Sequence, residues 1–132
     1  MITSDLKKIA AAMAEFEGWH YATSTKAGDP AGSVAYRNHN PGNLRWSPFM
    51  VGTRDKFAVF VDDETGRFAM IWDIWKKARG ETSSELTGES NLYDLIHVYS
   101  AEDLATVNRY AAHVESRTGI PIETKLKDII KE

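Results

Sequence analysis

The stretch AYRNHNPGNLRW, from Ala35 to Trp46, holds two arginines, three asparagines, a histidine and a Pro-Gly pair. It is too polar for a core segment and too rich in turn-forming residues for a helix. Pro41 and Gly42 at the centre of Asn40-Pro41-Gly42-Asn43 suit a type II turn, in which the glycine supplies a positive φ. Ser33 to Trp46 is therefore expected to form two short strands around that turn. Downstream, KFAVFVD (Lys56 to Asp62) alternates and is rich in Phe and Val, so it reads as a further strand. Together these segments predict one small antiparallel sheet.

Helical patterns surround this β region. Upstream, Leu6, Ile9, Ala10, Met13 and Phe16 recur at three- and four-residue steps, with Ser4 as the expected cap and Glu17-Gly18 as the stop. Trp19 to Gly32 contains Gly28, Asp29, Pro30 and Gly32 and reads as a loop. From about Thr65 to Ala78 a second helix is expected, with Phe68, Ile71, Trp72 and Trp75 facing the core and Asp63 as its N-cap. Gly80 to Glu89 is a polar connector. Ser90 is expected to cap a short helix through Leu92, Leu95, Ile96 and Tyr99. A longer one follows from about Glu102 to Arg117, with Leu104, Val107, Ala111 and Val114 inward and Gly119 as its stop. Leu126, Ile129 and Ile130 mark the last. No repeat or linker divides the chain, so the expectation is a single α+β domain over residues 1–132, mostly helical, with its sheet after the first long helix.

Composition narrows the function. The 132 residues are 42% hydrophobic and 27% charged, ordinary for a globule. A net charge of −3 argues against a general nucleic-acid or anionic-membrane binder. With no cysteine there is no disulfide, thiolate metal site or Cys nucleophile. His20, His39, His97 and His113 are scattered, so no metal site is expected, and no cofactor. Ser83 and Ser84 lack triad spacing. No stretch approaches the roughly 18 apolar residues of a membrane span, and the opening residues do not read as a signal peptide.

Two features carry chemistry. Glu17 follows Met13 by one helical turn and projects from the apolar face at the helix C-terminus. Partial desolvation and the negative end of the helix dipole both raise a carboxylate pKa, the condition a general acid requires. The plainer reading is a solvated terminal glutamate. The second feature is the 37–45 segment, in which Asn38, Asn40 and Asn43 stand together with Arg37 and Arg45. Asparagine amides match the hydroxyls and N-acetyl groups of amino sugars; equally, they can cap the turn's own backbone. Trp19 and Trp46 flank these features and suit stacking on a pyranose face, whereas Trp72 and Trp75 fall on an apolar stripe and read as core. Tyr110 either bonds in a cleft or packs.

EFEGW, SVAYRNHNPGNLRW, KFAVFVDDETGRFAM, NLYDLIHVYS and NRYAAHVESRTGI follow one another in this order. The order resembles the bacteriophage-associated lysozyme-like domains marked by an Arg-Asn-x-Asn-Pro-Gly-Asn-Leu/Ile-Arg box, over roughly Ile9 to Ile129. The resemblance implies a lysozyme-like fold that cleaves the β-1,4 MurNAc–GlcNAc backbone of bacterial peptidoglycan, as a lytic transglycosylase or a muramidase. Glu17 matches the family's acid, and Arg37, Asn38, Asn40, Gly42 and Asn43 match the box; Trp46 and Tyr110 are further substrate-contact candidates from their own positions. VYSAEDLATVNRY departs from relatives, which carry Trp-Ser/Ala-Pro where this chain has Tyr99 and Ala101. A muramidase needs a second carboxylate, for which Asp29, Asp55, Asp62 and Asp63 are the candidates. A transglycosylase uses one glutamate as acid and then base. The implied partners are glycan strands and a phage particle or other delivery partner, with the protein a monomer acting at the cell wall or periplasm. The alternative is a non-catalytic structural or wall-binding module that keeps the fold.

Overall fold

The structure, a computed structural model, describes residues 2–18, 34–100 and 103–131. The loop expected over 19–32, with Trp19, His20 and Asp29, lies outside the described residues, as does Glu102. The protein is α+β and about half helical. Its elements are α1 (Ser4–Phe16), α2 (Val34–Arg37), β1 (Gly52–Arg54), β2 (Phe57–Val59), α3 (Asp63–Ala78), α4 (Leu92–Ser100), α5 (Leu104–Thr118) and α6 (Leu126–Ile129). The chain forms two compact units, residues 13–70 and residues 1–12 with 71–132; α1 and α3 contribute to both.

In the 13–70 unit, β1 and β2 pair antiparallel with Gly52 opposite Val59 and Arg54 opposite Phe57. Asp55 (φ 52) and Lys56 (φ 71) join them. That is the backbone of a type I′ hairpin turn without its usual glycine, which is why β1 gave no sequence signal. The two strands expected within 33–46 do not form. Val34–Arg37 is a helical turn instead, closed by His39 N–H to the Tyr36 carbonyl (3.0 Å) and Asn40 N–H to the Ala35 carbonyl (2.8 Å). Those two bonds around a left-handed His39 (φ 54) make a Schellman motif. Left-handed backbone recurs at Asn43 (φ 50), whose N–H bonds the Asn40 carbonyl, so the positive φ expected of Gly42 falls on His39 and Asn43. An extended strand cannot accommodate either conformation. The bend still leans on β2: Phe60 N–H reaches the Asn38 carbonyl (3.0 Å) and Ala58 N–H the Leu44 carbonyl (2.8 Å). Ala58 and Phe60 alternate inward and are buried with Met13, Ala35 and Leu44.

Helix α3 buries a different stripe from the one expected. Ala69, Met70, Ile74 and Ala78 are buried, while Phe68 is exposed and Trp72 and Trp75 are half-buried. Lys76 and Arg79 lie over the two indole faces at 5.2 and 4.5 Å, so the rings cover surface under charged side chains. The Met70, Ile74, Ala78 spacing is as regular as the aromatic one, and side-chain size alone misled the reading. The cap of α3 is Asp62, which accepts from Thr65 N–H at 2.8 Å, and not Asp63.

The other unit is helical. α4 packs on α5, and the Tyr93 hydroxyl donates to Asn108 Oδ1 at 2.7 Å. Leu6, Ile9, Leu92, Leu95, Ile96, Val107, Val114 and Leu126 are buried here. Leu104, expected inward, is 61% exposed because it opens α5 before the helix meets its neighbour. Two expected caps shift by one residue. Thr3 Oγ1 accepts from Leu6 N–H (3.1 Å), displacing Ser4. At α4, Asn91 and Asp94 bond each other's backbone N–H at 2.9 and 3.0 Å, a reciprocal capping box that displaces Ser90. Asp103 caps α5 through Thr106 N–H, and left-handed Gly119 (φ 72) ends it as expected.

Candidate functional site

Glu17 and the asparagine-rich bend belong to the same unit and meet. The N–H of Glu17 bonds the Met13 carbonyl (2.9 Å), so the α1 hydrogen-bond pattern carries one residue beyond Phe16. Left-handed Gly18 (φ 90) then turns the chain away. Glu17 is half-buried. Asn43 Nδ2 donates to its carbonyl at 3.1 Å, an orphan carbonyl of the helix end. One amide of the bend thus fixes the backbone that carries the candidate acid.

The three asparagines do three different jobs. Asn40 is buried and its amide is fully committed to the protein: Nδ2 donates to the Leu44 carbonyl (2.8 Å) and the Ala58 carbonyl (2.9 Å), while Oδ1 accepts from Leu44 N–H (3.0 Å). It staples the bend closed and binds it to β2. The sequence reading offered sugar recognition or backbone capping for these amides, and for Asn40 the structure shows the capping. Asn43 divides itself, with Nδ2 on Glu17 and a buried Oδ1 that has no partner among the described residues. Asn38 is buried, and neither Nδ2 nor Oδ1 has a hydrogen-bond partner among the described residues. A buried polar group left unsatisfied costs about 1–3 kcal/mol, so Asn38 is the bend's largest unmet hydrogen-bonding demand.

A second clamp holds the bend from α3. His39 Nδ1 and Asp63 Oδ1 lie 2.7 Å apart. Gly66 packs so closely that a Cβ there would fall 1.7 Å from the His39 carbonyl oxygen. Left-handed His39 is an uncommon backbone state for a side-chain-bearing residue, and contacts on both sides hold it there.

The remaining candidates separate. Pro41 and Gly42 are buried within the bend, and Arg37 is exposed. Trp46 is 66% exposed, so its indole is available as a platform. Tyr110 is 1% exposed on α5 and belongs to the helical unit, where it packs. Among the acids weighed as a second carboxylate, Asp55 sits exposed at the hairpin tip. Asp63 is held by His39. Asp62 is occupied as the α3 cap, and its bonds from Thr65 lower its pKa below the usual carboxylate value. Among the described residues no cluster of three or more His, Asp or Glu side chains is set to hold a metal ion, and no helix is long and apolar enough to cross a membrane.

Sequence reasoning missed the Asn43–Glu17 tie, the Gly66 contact and the His39–Asp63 pair. The His39–Asp63 pair and the Asn43–Glu17 tie each had a partial signal, His39 and Asn43 lying inside the polar bend, and the Gly66 contact had none. No protein-family model matches this chain, and no match was found among curated proteins or solved structures.

Proposed function

We propose that the protein cleaves the β-1,4 MurNAc–GlcNAc backbone of bacterial peptidoglycan within a lysozyme-like fold, with Glu17 as the general acid. The observation that carries this reading is the 3.1 Å bond from Asn43 Nδ2 to the Glu17 carbonyl, which ties a half-buried glutamate to a bend rich in amides. The bend tied to Glu17 carries amides of the kind that pair with a sugar's N-acetyl group. Trp46 offers a face for a pyranose ring. Asn40 acts by shaping the bend.

In this mechanism Glu17 protonates the glycosidic oxygen, and the C1–O bond to the leaving GlcNAc breaks. The resulting carboxylate then takes the proton from the muramic 6-hydroxyl as that oxygen attacks C1, closing an anhydro ring. Asp62 and Asp63 already hold structural tasks, which favours this single-glutamate course over one that needs a second carboxylate. A water attacking in place of the 6-hydroxyl would give a reducing end. No cofactor enters either course. Glycan strands are the proposed partner, with delivery by a phage particle and action at the cell wall.

The test is clearing of purified cell walls by the wild type and Glu17→Gln, with mass spectrometry of the released fragments. Anhydro-ended products from the wild type, and a loss of at least a hundredfold in Glu17→Gln at unchanged fold, are expected. Equal clearing by both removes Glu17 from the mechanism. Wall binding without cleavage makes the chain a binding module.

A further inference from the structure

Beyond the bend, the hairpin carries positive charge with no ion-pair partner among the described residues. Arg45, which closes the bend, lies over the Phe57 ring with its guanidinium carbon 5.3 Å from the ring centre. Arg54 is the cross-strand register partner of Phe57 in the β1–β2 ladder. Directly opposed residues of an antiparallel pair project on the same face with Cβ atoms about 5 Å apart. One half-buried ring therefore has the Arg45 guanidinium over it and Arg54 opposite it on the neighbouring strand. Both arginines are exposed, as is neighbouring Lys56. Among the described residues neither arginine has a carboxylate in ion-pairing range, although the whole chain is net −3.

The chemistry of two such groups is specific. A guanidinium presents a planar fork of donors that matches a carboxylate bidentately, and stacking on an aromatic face holds its plane while leaving its edge free. The Phe57 ring orients Arg45 in this way. Arg45 directly follows Leu44, whose N–H and carbonyl both belong to the Asn40 staple. Arg45 therefore shares a short piece of backbone with the asparagine-rich bend, and Arg54 is brought beside it only through the β1–β2 ladder.

We infer that Arg45, stacked on Phe57, and Arg54, opposite Phe57 in the ladder, form a carboxylate-binding subsite for the acidic peptide that hangs from the lactyl group of a bound glycan strand. This rests on the proposed glycan substrate. It adds a specificity: strands that carry their peptides are favoured over strands stripped of them. Of the anionic polymers of a cell wall, the substrate's own peptide is the one whose carboxylates travel with the sugar held at the bend.

Two readouts separate this inference from the catalytic reading. Calorimetric titration compares a disaccharide–tetrapeptide with the bare disaccharide, on the full chain and on Arg54→Gln and Arg45→Gln. Cleavage rates are measured in parallel on peptide-bearing strands and on amidase-stripped strands. The wild type is expected to prefer the peptide-bearing ligand about tenfold, or about 1.4 kcal/mol. Arg54→Gln is expected to lose most of that preference while its rate on stripped strands stays within twofold. Arg45→Gln should lose the preference to a similar degree.

Cleavage of both strand types without any preference overturns the subsite and leaves the glycosidase reading standing. Preferential binding without cleavage does the reverse. Binding of neither ligand overturns both. Competition by polyglycerol phosphate at concentrations where the tetrapeptide does not bind assigns the arginines to a phosphodiester chain and overturns the carboxylate subsite.

Discussion

The bend at residues 38–44 and the helix ends of the 71–132 unit solve one problem in opposite ways. Both must satisfy backbone groups that regular secondary structure leaves without partners. At α4 and α5 the partners are three residues away: Asn91 with Asp94, and Asp103 with Thr106. In the bend they are distant in the chain. Asn40 reaches Ala58 across 18 residues, His39 reaches Asp63 across 24, and Asn43 reaches Glu17 across 26. A local cap survives as long as its helix does. The bend exists only when β2, α3 and the end of α1 are all in place, so its geometry reports on the tertiary structure of the whole 13–70 unit.

That contrast can be broken first at Gly66. A methyl there meets the His39 carbonyl at 1.7 Å, which backbone cannot yield without moving the bend or α3. Gly66→Ala is expected to cost about 3 kcal/mol or more in urea unfolding. A loss under about 1 kcal/mol would mean that α3 does not hold His39.

Next come the two buried asparagines, placed two residues apart. Asn40→Leu removes three bonds and takes the Asn40 partner from the Leu44 N–H and the Ala58 carbonyl, the Leu44 carbonyl keeping Ala58 N–H, for an expected loss of about 2–4 kcal/mol. Asn38→Leu removes none and replaces an unsatisfied amide with an apolar group of similar volume. It is expected to be neutral or up to about 1 kcal/mol more stable. Equal destabilisation by the two would erase the distinction drawn between them.

Local caps predict smaller effects. Asn91→Ala is expected to lower stability by about 1 kcal/mol without changing any property of the bend, read as an unaltered His39 chemical shift. The smallest effect concerns Glu89, where Lys125 and Lys127 at 2.8 and 2.7 Å hold the carboxyl down at about 2. A lowered carboxylate pKa contributes stability that is complete above its ordinary value, near 4.5, and disappears as pH falls through about 2. The group is exposed, so the contribution is slight. Glu89→Gln should flatten the acid limb of a stability-against-pH curve between those values; superimposable curves would show that the pairs contribute nothing.

The same division explains what could be read from the residues in order. The expected course of α1, α4, α5 and α6, the left-handed stop at Gly119 and the β2 strand all match, because periodicity and helix ends are written in neighbours three or four positions apart. Caps slipped by one residue, from Ser4 to Thr3, from Ser90 to Asn91 and from Asp63 to Asp62, since adjacent residues offered near-equal acceptors. The larger error was the pair of strands around Pro41-Gly42. Turn chemistry identified a bend there, but a four-residue helix and two left-handed residues were selected by contacts from Ala58 and Gly66.

For the candidate site, the sequence by itself determined which residue types are present: a glutamate at the end of an apolar helix face and a cluster of amides in a tight bend. The division of labour among Asn38, Asn40 and Asn43, the anchoring of Glu17 and the placing of Arg54 beside Phe57 were decided by tertiary structure alone. An amide has the same donors and acceptors wherever it stands, and only the arrival of distant backbone determines which of them are taken and which stay free.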